Sequence, residues 1–510
     1  MQLVAYGAQD IYLTGNPQIT YFKVVYRRHT NFSMESISQP FAGGTADFGG
    51  SPIANISRSG DLMYRTYFSC KTPTFTPDST SFRWLNWLGH ILVKNVTLEI
   101  GGQQIDKQYG EWFHIWNELT QKAGQQTNYA NMVGNVPKLV QPTIGIVPQI
   151  ELYIPLQFYF CRNPGLALPL IALQYHEVTI KLQLEDKANT YWSEGGTEPN
   201  IGSLTDCQLY VDYIFLDTEE RRRFAQASHE YLIEQLQYSQ ESVTTVSQNL
   251  QLTLNHPVKE LIWVVQKDDH VDTTEMKNIG GRQYFNYTDR VDTSYFSGTP
   301  THEFGPGIGT SSHSSVNQFL SMPYTGGVDT DKTVAGQTSF NSVPNIGSNA
   351  ATGSNVSSAT FKDLVGSTIG AEGGESQTLT LGGFAAGLSV FPDGKNPVST
   401  AVLKLNGQER FSSRTGRYFN TIQPYQHHTN GPAPGINVYS FALSPEEHQP
   451  SGTCNFSRID KAVLSLTLTA NTIKDETGAG TDHGAKVKIF ATNYNVLRIM
   501  SGMGGLAYAN

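Results

Sequence analysis

Cysteine is scarce and scattered: Cys70, Cys161, Cys207 and Cys454 are the only four in 510 residues, and no two form a CxxC pair. This argues against a zinc ribbon and a dense disulfide framework, and favours reduced thiols. Charge is also thin, at 15% of residues, and it is not basic: 35 Lys and Arg stand against 44 Asp and Glu, a net charge of −9. A protein that lies along a nucleic-acid backbone needs cations spread over one face. Here the dense basic clusters are Arg27-Arg28-His29 and Arg221-Arg222-Arg223, so no direct nucleic-acid binding is expected. No run approaches the roughly 20 apolar residues of a membrane span. The opening "MQLVAYGAQDIYLTGNPQ" lacks the basic and apolar regions of a secretory signal. The chain reads as soluble and made in the cytosol.

Catalytic motifs are equally sparse. The His-Glu pairs at His176, His229 and His302 each lack the second histidine of a zinc-protease helix. No GxSxG elbow occurs, and "FPDGKN" has Asn396 where a phosphate loop needs Ser or Thr. His427 and His428 are adjacent but have no further ligand at a metal-binding spacing. Paired carboxylates for glycoside hydrolysis can be far apart in sequence, and Asp and Glu are too common here to be diagnostic. No catalytic, cofactor-binding or metal-binding residue is assigned, and no enzyme is expected.

What is abundant suits pleated surfaces joined by turns: 48 Gly, 25 Tyr and 25 Phe, with many Ser, Thr and Asn. A chain this long exceeds the ~250–300 residues that one core usually organises, so at least two domains are expected. Period-two alternation is the strongest pattern. Val96, Leu98 and Ile100 alternate with polar neighbours, as do Val178, Ile180, Leu182 and Leu184; Leu209, Val211, Tyr213 and Phe215; Leu250, Leu252 and Leu254; and Leu464, Leu466 and Leu468. One-sided apolar strands pack sheet on sheet.

"LEIGGQQID" at Leu98–Asp106 is echoed by "LKLNGQERF" at Leu403–Phe411, with Gly102-Gln103 matching Gly407-Gln408. Aromatics follow each echo, in "EWFHIWNEL" and in "GRYFN". An aromatic-rich strand comes next, "YIPLQFYF" or "NVYSFAL", and then another alternating strand. The simplest account is one β-sandwich present twice. Trp112, Ile115, Trp116 and Leu119 fall at helical spacing and are assigned to packing. Asp217 and Glu220 resemble a capping box ahead of "TEERRRFAQ", which predicts a short helical connector. Arg221, Arg222 and Arg223 read as a solvated helix face in preference to an anion site, because Glu219 and Glu220 stand beside them. From about 267 to 400 the composition turns to Gly, Ser, Thr and Asn, which predicts long surface loops with short strands such as Thr378–Leu381. Of six Asn-x-Ser/Thr sequons, those at Asn286 and Asn355 stand where a glycan is tolerated.

Longer blocks carry a resemblance. "LVAYGAQDIYLTGNPQITYFKVVYRRHTNFSMESI", "PGLALPLIALQYHEV", "DYIFLDTEERRRFAQASHEYLIEQLQ", "QPSGTCNFSRID" and "NYNVLRIMSGMGGLAYAN" together resemble the major capsid proteins of nucleocytoplasmic large DNA viruses, above all the phycodnavirus and mimivirus-like group. The resemblance implies an all-β double jelly roll: an arm over 1–25, a first roll over 26–217, a connector over 218–236, and a second roll over 237–510 with a tail over 496–510. It implies a virion structural protein, assembled in the host cytoplasm, whose homotrimers tile an icosahedral shell around an internal membrane and a double-stranded DNA genome. Implied partners are the chain itself, neighbouring capsomers, minor capsid and penton proteins, and a host surface met by the outer loops. Arg27, Arg28, Arg221, Arg222 and Arg223 are the candidate assembly contacts. The rival classes are a carbohydrate-binding or glycoside-cleaving β-sandwich, and a minor capsid or vertex protein of the same virus type.

Overall fold

Each one-sided apolar strand of the sequence finds a facing sheet. The computed structural model describes residues 7–77, 82–193, 199–272, 281–290, 395–473 and 484–508. The first half supplies β1 (Phe32–Gln39), β2 (Ile53–Asn55), β3 (Leu62–Lys71), β4 (Val93–Ile100), β5 (Gln103–Tyr109), β6 (Glu151–Pro155), β7 (Val178–Leu184) and β8 (Thr205–Leu216). They form two antiparallel sheets, ordered β1–β8–β3–β6 and β2–β7–β4–β5.

The second half supplies β9 (His229–Val243), β10 (Ser247–Leu252), β11 (Pro257–Lys267), β12 (Val398–Leu405), β13 (Gln408–Glu409), β14 (Asn437–Ser440), β15 (Ala462–Leu468) and β16 (Ala485–Met500). Their sheets run β9–β16–β11–β14 and β10–β15–β12–β13. Strand for strand this is the same order, so the chain is two tandem jelly rolls.

The echo in the sequence is a repeated hairpin. β4 and β5 are joined by Gly101 and Gly102, at φ 58° and 81°; β12 and β13 are joined by Asn406 and Gly407, at φ 51° and 82°. Two consecutive positive φ values belong to the tight hairpin turn whose twist matches the strands, and Gly and Asn enter that region at least cost.

The alternating residues point inward as expected. Val96, Leu98, Ile180, Leu182, Leu209 and Val211 lie in the core of the first roll. Leu250, Leu252, Leu254, Leu464, Leu466 and Leu468 lie in that of the second. β11 and β16 depart from alternation by serving two cores. After its first residue β11 is buried along its whole length, with Leu261, Trp263 and Val265 in the second core while Ile262 and Val264 join the first. β16 likewise sends Val487 and Ile489 one way and Phe490 the other. A strand dry on both faces keeps no polar phase, as in fully covered sheets.

Helix α1 (Gly110–Thr120) buries Trp112, Ile115, Trp116 and Leu119, the predicted packing face. Helix α2 (Thr218–Gln226) begins at Asp217, whose side chain accepts from Glu220 N at 2.9 Å. The predicted connector over 218–236 thus holds α2 and then the start of β9 at His229. The predicted tail over 496–510 is strand to Met500, and Met503–Leu506 folds back antiparallel upon it. This end docks on the first roll of its own chain: Tyr175 N donates to Gly502 O at 3.0 Å, and the His176 Nδ1 lies 2.9 Å from Gly504 O.

Candidate assembly surfaces

The joint between the rolls is built by α1, the helix that follows the first hairpin. Its Trp112 stacks on Phe490 of β16 at 5.7 Å, and Tyr109 packs on Tyr238 of β9 at 4.5 Å. Glu111 pairs with Lys488, whose Nζ also donates to Gln266 Oε1 at 2.6 Å. The register row Tyr238–Phe490–Ile262–Val438 crosses the sheet beneath. An apolar face of one roll thereby seals one sheet face of the other, and burial of this kind contributes about 25 cal/mol per Å² of apolar surface.

A chain of buried charges sits beside it. Arg162 of the first roll stacks on the Trp116 ring at 3.8 Å and reaches Glu234 of β9 at 3.0 Å. Lys259, fully buried, lies 2.8 Å from the same carboxylate. Burial opposes ionisation of Glu234, but His448, Lys259 and Arg162 outweigh it and hold its pKa down at about 2. His428 lies between Glu260, 3.1 Å from its Nε2, and Glu446, 3.0 Å from its Nδ1. Burial opposes the imidazolium, yet the two carboxylates outweigh it and raise the pKa to about 9. A charged imidazole offers no lone pair to a metal, and among the described residues no group of three or more metal-ligating side chains gathers. Thr429 N and Oγ1 also donate to Glu446, so the turn after His427 is tied down.

The candidate residues fall in separate places. Arg27 and Arg28 are exposed, in a segment ahead of β1 that also exposes Ile11, Tyr12, Tyr21, Phe22 and Tyr26. Arg221 donates its Nε to buried Asp61 at 2.7 Å, which pins α2 to the first roll. Arg222 pairs with Glu219 at 2.6 Å on the exposed helix face, and Arg223 is exposed. The three arginines form no common anion site. The glycan expectation at Asn286 is corrected: this side chain is fully buried, donating to Gln283 Oε1 at 2.7 Å and Arg290 O at 3.0 Å while accepting from Thr288. It has no outward amide for a sugar. Asn355 and Thr378–Leu381 lie outside the described residues.

Sequence reading missed the His428 bracket and the Arg162–Glu234–Lys259 chain, because their partners are remote in sequence. It also missed an exposed apolar patch, formed by Ile422, Tyr425 and Leu443 around the short helix α3 (Gln423–His427). Aligning "GEWF" with "GRYF" is the signal that would have found it.

Two family models match in tandem: "Major capsid protein N-terminus" over residues 20–217, and "Large eukaryotic DNA virus major capsid protein" over 220–505. The major capsid protein of Phaeocystis pouchetii virus is 48% identical, over 100% of this chain and 99% of the relative. The PBCV-1 virus capsid structure aligns with TM-score 0.64 at 32% identity, covering 96% of this chain and 100% of that one. The Faustovirus major capsid protein, 12% identical with TM-score 0.65 over 97% and 94% of the two chains, shares the fold. The tandem jelly rolls and these similarities agree: the chain belongs to the major capsid proteins of large eukaryotic DNA viruses, structural proteins of the virion shell and not enzymes.

Proposed function

We propose that the chain assembles as a homotrimer of pseudo-hexagonal outline, and that trimers tile an icosahedral shell around an internal membrane and the double-stranded DNA genome, assembled in the host cytoplasm. The observation that carries this reading is the head-to-tail joint between two rolls of the same strand order. The first roll presents α1; the second presents the sheet face that α1 covers. Repeating one head-to-tail relation generates a ring when its rotation closes, and six rolls from three chains make the smallest ring with a near-sixfold outline.

The segment ahead of β1, with its exposed apolar side chains and Arg27 and Arg28, acts as an arm that reaches adjacent subunits or minor capsid and penton proteins. Domain boundaries follow the rolls, with α2 as the link between them. The stretch over about 267–400, most of which lies outside the described residues, is the proposed contact with the host surface.

Light scattering of the purified chain tests the assembly. Three chains of 56.2 kDa give about 169 kDa. A monomer near 56.2 kDa at micromolar concentration would sink the reading.

A further inference from the structure

The two rolls repeat more than their strands. "GEWFHIWNEL" (110–119) and "GRYFNTIQPY" (416–425) both begin at a glycine after the repeated hairpin. A Cβ on Gly110 would stand 2.4 Å from Val93 O, and one on Gly416 would stand 1.9 Å from Val398 O; these valines begin the equivalent strands β4 and β12. Phe113 and Phe419 are both fully buried, each in its own roll. On this alignment Trp112, Trp116 and Leu119 correspond to Tyr418, Ile422 and Tyr425. The first stripe is buried, and its Trp112 closes the joint onto the second roll. The second is open beyond its first position: Tyr418 is half-buried against the core of its own roll, but Ile422 is 44% and Tyr425 88% exposed, and Leu443 beside them is 74% exposed. His427 Nδ1 at 2.9 Å from Leu443 O holds the patch together, and Gln423 anchors it by accepting from Ser440 N at 3.0 Å.

The receiving face is repeated as well. In the second roll it is the covered row Tyr238–Phe490–Ile262–Val438. In the first roll the row crossing the four equivalent strands is Ser38–Tyr210–Tyr67–Pro155, with Tyr153 alongside at 6.2 Å from Tyr210. Tyr67, Tyr153 and Tyr210 are half-buried and lie opposite the core-facing Phe68, Ile154 and Leu209. Half-open tyrosines offer a large apolar area with a polar tip, a chemistry favoured at interfaces.

We infer that the stripe Ile422, Tyr425 and Leu443 of one chain seats on the face Tyr67, Tyr153 and Tyr210 of a second copy, reproducing between chains the joint that α1 makes within one. The inference rests on the trimer reading above, and names its contact. Exposed apolar side chains near the centre of an interface carry most of its energy, so single charge insertions there suffice to break it.

The test compares the full-length wild type with Tyr425→Glu, Leu443→Glu and Tyr210→Glu by light scattering at equal micromolar concentration, with near-ultraviolet circular dichroism as the control for folding. Tyr425 and Leu443 lie on different segments and are exposed, so the two variants test the patch independently of the fold of either segment. The expected result is a trimer for the wild type and for Tyr425→Phe, and loss of the trimer for all three glutamate variants with the dichroism kept. A trimer that persists in both Tyr425→Glu and Leu443→Glu overturns this contact and leaves the trimer reading standing. A monomeric wild type overturns the trimer reading itself, and this contact with it.

Discussion

Trp112 of the first jelly roll and Phe490 of the second stack with ring centroids 5.7 Å apart and planes 30° from parallel. Both side chains are fully buried, so one aromatic pair belongs to two domains at once. That makes the rolls a single packed body at this joint, and it sets the effects expected when the joint is cut.

Trp112→Ala removes the stacked ring and leaves a cavity between the rolls. Large-to-small changes of this kind cost about 3–5 kcal/mol. Urea unfolding followed by tryptophan-independent far-ultraviolet dichroism should show a lower midpoint, and a change under 1 kcal/mol would mean that the joint contributes little.

Glu234→Gln leaves fully buried Lys259 and half-buried Arg162 without their shared carboxylate. Breaking a buried pair by removing one partner costs about 3–5 kcal/mol. Replacing Lys259 and Glu234 together by apolar residues of similar size should recover part of that loss, because the fully buried cation leaves with the carboxylate and only Arg162, which is half-buried, keeps its charge without that partner. A double variant as unstable as the single one would contradict this account.

Stability should fall on both sides of neutrality, for different groups. His428, raised to about 9, contributes stability that is complete below the unfolded value of 6.5 and is lost as pH rises through about 9. Glu234, lowered to about 2, contributes above 4.5 and loses it as pH falls toward about 2. His114 and His270, each lowered to about 3 by burial first of all, resist protonation when folded and so subtract stability as pH falls from 6.5 toward 3. Melting temperature against pH checks this, and His428→Gln should flatten the limb between pH 6.5 and 9 while leaving the acid limb in place. An unchanged alkaline limb would assign it to other groups.

Gly110→Ala should abolish folding of the first roll, since the new Cβ would stand 1.9 Å from His90 O and 2.4 Å from Val93 O, both backbone atoms that cannot swing away. Gly102→Ala, in open space at φ 81°, should cost only the strain of the left-handed backbone, about 1 kcal/mol. Soluble yield and thermal melts of the two variants separate a clash from strain.

The alternating strands were legible because each has one dry face, and a period of two survives in any window of seven residues. The repeated hairpin was legible because its turn demands positive φ twice, and only a narrow set of residue pairs meets that demand. Helix α1 announced its stripe by spacing, and α2 its start by Asp217. The glycan site at Asn286 was misread because a sequon describes what an enzyme could recognise, while burial depends on Gln283, Thr288 and Arg290 closing around the amide.

Local order, then, was written in the chain: strand phase, turn type, helix face, and the doubling of one sandwich all depend on residues a few positions apart. What the tertiary structure alone decided is which dry face meets which. β11 carries no polar phase because Ile262 answers to one core and Trp263 to the other. The pairing of Arg162 with Glu234, and of His428 with Glu260 and Glu446, was settled the same way. These choices rest on contacts between segments separated by as many as several hundred positions, and on the desolvation that contact brings, neither of which has any period that a sequence can display.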